Sequence, residues 1–307
     1  MAQMKKSKNR IVTVIGGSGF VGSHVADQLS KQGFHVRIFD RKDSPWKRKD
    51  QEIIIGDLLN NELLNKAIAD SEVVYNFAAL SDLDRAKNKA VETVEINILG
   101  NAKVLEACRI NKVKRFVFAS SVYVFSREGG FYRCSKQAAE SYIEEFQNVY
   151  NLDYTILRYG SLYGPRADST NGLFRIVSHA LETGVVRYNG SPDAFREYIH
   201  VEDAAKASVN AMGDDFRNQS VVLTGQEAMR VVDLLKMLAE ILGLPESVEF
   251  IEGDYVGHYN RTPYAYLPKL GRKYVAPFHV DLGQGLMQLI DEVRASGIIT
   301  KENLEKE

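Results

Sequence analysis

Tyr132 and Lys136 stand four residues apart, inside the stretch that runs from Ser120 to Lys136. On a helix that spacing puts both side chains on one face. A phenol titrates near pH 10, at about 10 in model compounds, so Tyr132 becomes a base near neutrality only if something favours the phenolate. A Lys ammonium one turn away does that. Taken alone, the pair also fits an ordinary exposed Tyr and Lys, and Ser120 and Ser121 fit a strand-end cap. The second chemical motif is Gly16-x-x-Gly19-x-x-Gly22, which follows the β-branched run Ile11–Ile15. Each glycine admits a close backbone approach, and the loop delivers a helix N-terminus to a pyrophosphate. Asp40 ends the next strand-like run, where a carboxylate accepts from an adenosine ribose diol and repels a 2′-phosphate, favouring NAD. Arg41 follows directly and keeps NADP open.

These residues need strands and helices in strict alternation to bring them together. Strand-like runs occur at Ile11–Ile15, His35–Phe39, Glu52–Ile55, Glu72–Phe77, Arg115–Ala119 and Tyr154–Leu157. Helical patterns lie between them, through Val25, Leu29 and Phe34 with Gly33 as the C-terminal stop, and near Asn60–Ala69, Ala90–Asn111 and Tyr132–Tyr150. That order predicts an α/β fold, a Rossmann-type doubly wound parallel sheet with helices on both faces. After Arg158 the alternation weakens. A helix near Leu173–Glu182, another over Val201–Met212, a strand at Ser220–Thr224 and helices at Val231–Leu242 and Leu282–Ala295 are expected. They suggest a smaller, interleaved C-terminal substrate lobe: 1–159 binds the cofactor, with 196–228 returning to it, and 160–195 and 229–307 form the lobe.

Composition narrows the class. The 307 residues, 45% hydrophobic and 26% charged, suffice for a large core and are ordinary for a soluble protein. A formal charge of −1 argues against broad nucleic-acid binding. Two cysteines, Cys108 and Cys134, are too few for a disulfide framework and fit a reducing, cytoplasmic setting. Cys134 reads as a plain helix residue. The basic N-terminal segment lacks the apolar core of a signal peptide, no window is long enough to span a membrane, and the histidines have no metal-like spacing. No metal, nucleic-acid or membrane partner is expected.

The ordered motifs resemble the extended short-chain dehydrogenase/reductase superfamily, specifically its nucleotide-sugar epimerases and dehydratases. The glycine spacing differs from the GxGxxG of ordinary dehydrogenases and matches this group. Asn76-Phe-Ala-Ala79 resembles its His-Leu-Ala-Ala strand end, with Asn76 replacing the usual His. Asn97 and Gly100 match an Asn-x-x-Gly pattern. Arg158-Tyr-Gly-Ser-Leu-Tyr-Gly-Pro-Arg166 and Arg196-Glu-Tyr-Ile-His-Val-Glu-Asp203 resemble later segments of the same group.

The resemblance implies a catalytic set of Ser121, Tyr132 and Lys136. It implies NAD held by Gly16, Gly19, Phe20, Val21, Gly22, Asp40, Arg41, Asp57, Leu58, Phe77, Ala78, Ala79, Asn97, Tyr132, Lys136 and Tyr159. Ser121, Ser161, Asn171, Leu173, Arg196, His258 and Arg261 are the candidate contacts to a nucleotide-sugar substrate. Ser161 replaces a family Asn, and Leu173 fits the core equally well. Arg196 would clamp a diphosphate, or pair at the surface with Glu197 or Asp203. Dehydratases of the group carry Asp-Glu after the catalytic Ser/Thr, and UDP-glucuronate decarboxylases keep a Glu there. Val122 and Tyr123 disfavour both reactions. Epimerisation at C4 through a transient 4-keto sugar is the first expectation. Net C4 dehydrogenation or reduction, for example on a GDP-heptose, is the second, and a non-catalytic cofactor sensor the third. The resemblance also implies a homodimer through a four-helix bundle built from Ala90–Asn111 and Tyr132–Tyr150. The short loop between Ser121 and Tyr132 suggests a pocket open on that side.

Overall fold

A β-branched run with no charged residue, such as Ile11–Ile15 (β1), is stable as a strand when both faces are covered. Six further strands join it: His35–Asp40 (β2), Gln51–Ile55 (β3), Ser71–Asn76 (β4), Arg115–Ser121 (β5), Tyr154–Tyr159 (β6) and Gln219–Leu223, which is β10 in chain order. In the computed structural model they form one parallel sheet, in the order β10-β6-β5-β4-β1-β2-β3. The structure describes residues 10–244, 248–251, 258–266 and 287, with backbone only at 84 and 85. The helix expected over Leu282–Ala295 lies outside the described residues.

The chain reverses direction across the sheet between β1 and β4. Ligands of such folds bind in the crevice at that point, outside the carboxyl ends of the strands. One face is covered by Phe20–Lys31 (α1) and Val201–Asn210 (α8), whose Val25, Leu29, Ala204 and Val209 pack on Val12, Val14 and Tyr75. The other is covered by Asn61–Ile68 (α2), Gly100–Ile110 (α5) and Gly130–Tyr150 (α6). Their Leu64, Ile68, Val104, Leu105 and Ile143 pack on Ile15, Phe116 and Phe118.

The expected helix Ala90–Asn111 is not uniform. Ala90–Thr93 (α4) opens into a π-helical stretch, Val94–Leu99, before α5 begins. A short helix, Leu83–Lys87 (α3), precedes it. Gly172–Thr183 (α7) and Val231–Ile241 (α9) fall where helices were expected.

Five short strands were not anticipated. Ser161–Tyr163 (β7), Phe195–His200 (β9) and Ala228–Arg230 (β11) form a three-stranded sheet, and Val186–Asn189 (β8) pairs with Val248–Ile251 (β12). β9 therefore belongs to a small sheet, and the return to the large one is made by α8 and β10.

Candidate active site

The loop after β1 is shaped by two glycines with different tasks. Gly16 has φ +76°, and a Cβ there would lie 2.6 Å from the Ala78 nitrogen at the end of β4. A Cβ on Gly22 would lie 2.2 Å from the Gly16 carbonyl, so α1 approaches the loop at backbone distance. Gly19 caps α1 without a side chain, and the first turn (Phe20, Val21) holds no acid. The helix therefore presents its first N–H groups and the positive end of its dipole to an anion.

Asp40 stands beside this loop. Its Oδ2 accepts from Ser18 N at 3.0 Å and its Oδ1 from Lys42 N at 3.2 Å. That pins the carboxylate and leaves lone pairs for a ribose diol. Arg41 is exposed. Asp57 accepts from Leu59 N at 2.8 Å, and buried Leu58 packs on Gly100, so Leu58 offers a ligand its backbone only. Phe77 stacks on Tyr75, and Ala78 and Ala79 follow at the strand end facing the loop. This cradle fits a dinucleotide: glycine backbone for the pyrophosphate, Asp40 for the ribose.

Two of the expected cofactor contacts have their side chains bonded within the protein. Asn97 lies buried in the π-helical turn. It donates to Leu80 O at 3.1 Å and Ser135 Oγ at 2.9 Å and accepts from Leu80 N at 2.7 Å. Both amide hydrogens are engaged, so its side chain ties the β4 loop to α6. Tyr159 points into the core on the α8 side, its hydroxyl 2.6 Å from Ser208 Oγ, because strand alternation sends it away from α6.

The reacting end forms where β5 meets α6. Ser121 ends β5 and caps the single 3₁₀ turn Val122–Phe125 by accepting from Tyr123 N at 3.3 Å. Its hydroxyl also lies near the Tyr132 phenol, whose ionised form it favours. Lys136 is 2% exposed and donates to Ala119 O at 2.7 Å. Its Nζ lies 4.6 Å from the centre of the Phe118 ring and 5.7 Å from that of Tyr132.

The direction expected for Tyr132 is reversed. Burial pushes its phenol up to about 12, with the Ser121 hydroxyl pulling the other way. Burial likewise pushes the Lys136 ammonium down to about 7, opposed by the charge of Glu140. Desolvation disfavours both charged forms and is the larger influence on each.

Beneath the pair lies a group that the candidate set did not include. Glu140 continues the stripe Tyr132–Lys136 by one more turn and is 3% exposed. It accepts from Arg158 at 3.1 and 2.7 Å, from Ser120 at 2.5 Å and from Tyr266 at 3.3 Å. The repeat of polar residues at four-residue intervals was the signal that could have found it.

On the substrate side, Arg196 is 8% exposed, with its guanidinium 4.6 Å from the centre of the Tyr259 ring. Its hydrogen bond among the described residues goes to Phe195 O at 3.0 Å, and Asp203 pairs with Lys206. The surface ion pair is not the arrangement found for Arg196 with Asp203. His258 Nδ1 is 3.0 Å from the Tyr123 hydroxyl, and Arg261 lies over Phe195.

Asn171 caps α7, accepting from Phe174 N, and donates to Leu162 O, which gives it a structural task. Ser161 and Leu173 are half-buried. The short loop after Ser121 does not leave its side bare. Tyr259 packs on Val122, Val124 and Phe125, and Tyr266 meets Phe125 edge to face. Arg133 and Gln137 of α6 bond its carbonyls.

Similarity to known proteins agrees with this geometry. The model of the NAD dependent epimerase/dehydratase family matches residues 12–223. A putative UDP-glucose 4-epimerase of Methanocaldococcus jannaschii is 29% identical over 253 residues, covering 74% of this chain and 81% of that protein. A UDP-N-acetyl-alpha-D-glucosaminuronate decarboxylase of Bacillus cytotoxicus is 27% identical over 241 residues, covering 70% and 74%. A crystal structure of Thermotoga maritima UDP-glucose 4-epimerase with UDP-glucose superposes with a TM-score of 0.75 at 25% identity, covering 83% of this chain and 90% of that one. The chain belongs to the NAD-dependent epimerase/dehydratase family, within the extended short-chain dehydrogenases/reductases, and NAD is its cofactor.

Proposed function

We propose that this family member is a nucleotide-sugar 4-epimerase. The carrying observation is that Ser121, Tyr132 and Lys136 are buried where β5 meets α6, next to positions without a carboxylate. Val122 is buried in the loop core and the Tyr123 hydroxyl is held at His258. A sugar whose C4 hydroxyl lay between Ser121 and Tyr132 would lose its proton to Tyr132 in its phenolate form while Ser121 held the oxygen. Bound NAD supplies the acceptor and donor of the C4 hydride. Tyr132 then returns the proton once the keto-sugar has turned over, so no further acid or base is needed. Arg196 holds the diphosphate, since its buried guanidinium has no carboxylate partner among the described residues.

The domain assignment is part of the same reading: 1–159, with α8 and β10, for the cofactor, and the two small sheets for the substrate. A cytoplasmic homodimer completes it. The test is incubation with UDP-, GDP-, CDP- and dTDP-sugars, followed by product stereochemistry, solvent-deuterium content and nicotinamide absorbance. Inversion at C4 without deuterium uptake or net reduction is expected. A keto-sugar formed together with reduced cofactor overturns the epimerase reading in favour of a net dehydrogenase.

A further inference from the structure

Three buried ionisable groups, Tyr132, Lys136 and Glu140, occupy successive turns of one face of α6, and Arg158 reaches the last of them from β6. A buried ammonium needs compensation close by. The neutral partners of Lys136 are the Ala119 carbonyl and the ring faces of Phe118 and Tyr132. The other groups near this cluster are Ser121 on β5, Tyr123 beyond it, Tyr154 and Tyr266, all uncharged, and the exposed Glu144 one turn further along α6, which acts on Arg158 and Tyr266. On the helices packed beside α6, Glu95 and Arg109 are exposed, half-exposed Glu106 pairs with Arg109, and half-exposed Lys89 pairs with Glu92. The compensation for Lys136 therefore comes from Glu140, and Arg158 decides how much of that charge remains.

We propose that Glu140 is a positioning residue: with Arg158 it sets the charge of the Tyr132–Lys136 pair, and the two halves of the ion pair act in opposite directions. With Glu140 removed, Arg158 and Lys136 are like charges in a dry site, so Lys136 gives up its proton more readily and Tyr132 is driven toward phenolate while Lys136 is charged. With Arg158 removed, Glu140 faces Lys136 with only Ser120 and Tyr266 as donors, and the ammonium is held more firmly. A brace between α6 and β6 alone would be weakened alike by either loss. The inference rests on the reading of Tyr132 and Lys136 as the reacting pair but not on the identity of the sugar.

The titration of Lys136 is read by NMR on ¹³C-labelled lysine side chains of the full chain, without substrate, its signal assigned with Lys136→Arg. Glu140→Gln is expected to lower the midpoint by about one pH unit or more, the least that a charge at this range produces, and Arg158→Gln to raise it. Glu140→Asp keeps the charge and is expected to stay near the wild type, so the comparison survives should Arg158→Gln fail to fold. An unchanged midpoint in Glu140→Gln, or shifts of the same sign in both Gln variants, overturns the proposal. Where a substrate is in hand, the alkaline limb of kcat against pH is expected to move in the same directions. Failure of the epimerase assay leaves the titration result standing, so the two readings fail separately.

Discussion

Lys136 is held in its uncharged direction by burial, and this has a stability consequence with a definite sign. Its folded pKa, pushed down to about 7, lies below the unfolded value of about 10.4. Between those values the unfolded chain binds the proton and the folded chain does not, so this residue's contribution rises with pH through that window. Tyr132 acts oppositely, because its folded pKa is raised to about 12. Its contribution is intact below about pH 10 and is lost as pH climbs through the folded value. Lys136→Met, close in volume and uncharged, is expected to be more stable than the wild type by about 1–2 kcal/mol at pH 7. Urea unfolding should show that gap narrowing toward pH 10. A Tyr132→Phe variant keeps the ring but loses the proton acceptor, and its kcat should fall by about 10²–10⁴ with the fold intact by circular dichroism.

At the scale of elements, the glycine loop and the π-helical turn do separate jobs. The 2.2 Å approach at Gly22 means that Gly22→Ala must push α1 off the loop. NAD binding, followed by calorimetry, should weaken at least about tenfold, since overpacking of ~1.4 kcal/mol already gives that factor. Asn97 anchors both polar atoms of Leu80 and the Ser135 hydroxyl. Asn97→Ala would leave those buried groups without partners and should cost about 1–3 kcal/mol in urea unfolding. The strands and most helices of the large sheet were legible from β-branched runs and helical periodicity, because both faces of that sheet are buried. The π-helical turn was not, since apolar spacing does not reveal a shift of one residue in the hydrogen-bond ladder. β7, β8, β9, β11 and β12 escaped for a related reason: each has three to six residues and pairs only with other short strands. Of the candidate site, Ser121 ends β5, Tyr132 lies on α6 and Asp40 ends β2, positions that strand and helix periodicity could supply. Asn97 and Tyr159 do not offer their side chains, because motif identity says nothing of which way a side chain points.

For the molecule as a whole, several exposed apolar residues lie on α4, the π-helical stretch after it and α6. Val91 and Val94 are 72% and 51% exposed, Leu99 is similar, and Phe131, Tyr142 and Val149 of α6 are about half exposed. Such a patch is rare on a monomer, and it supports the proposed homodimer. Light scattering is expected to give twice the chain mass, and Val91→Glu combined with Tyr142→Glu to give the single-chain mass. The Glu140 carboxylate, finally, gathers donors that lie 20, 18 and 126 positions away along the chain. Closing the two short loops costs little entropy, whereas the long one waits on the rest of the chain. During synthesis the cofactor cradle can therefore assemble early, while the Tyr266 bond forms only after 126 further residues have been added beyond Glu140. A nascent chain could take up dinucleotide well before its reacting pair has its final surroundings, and saturation with cofactor would be a poor measure of how much finished enzyme is present.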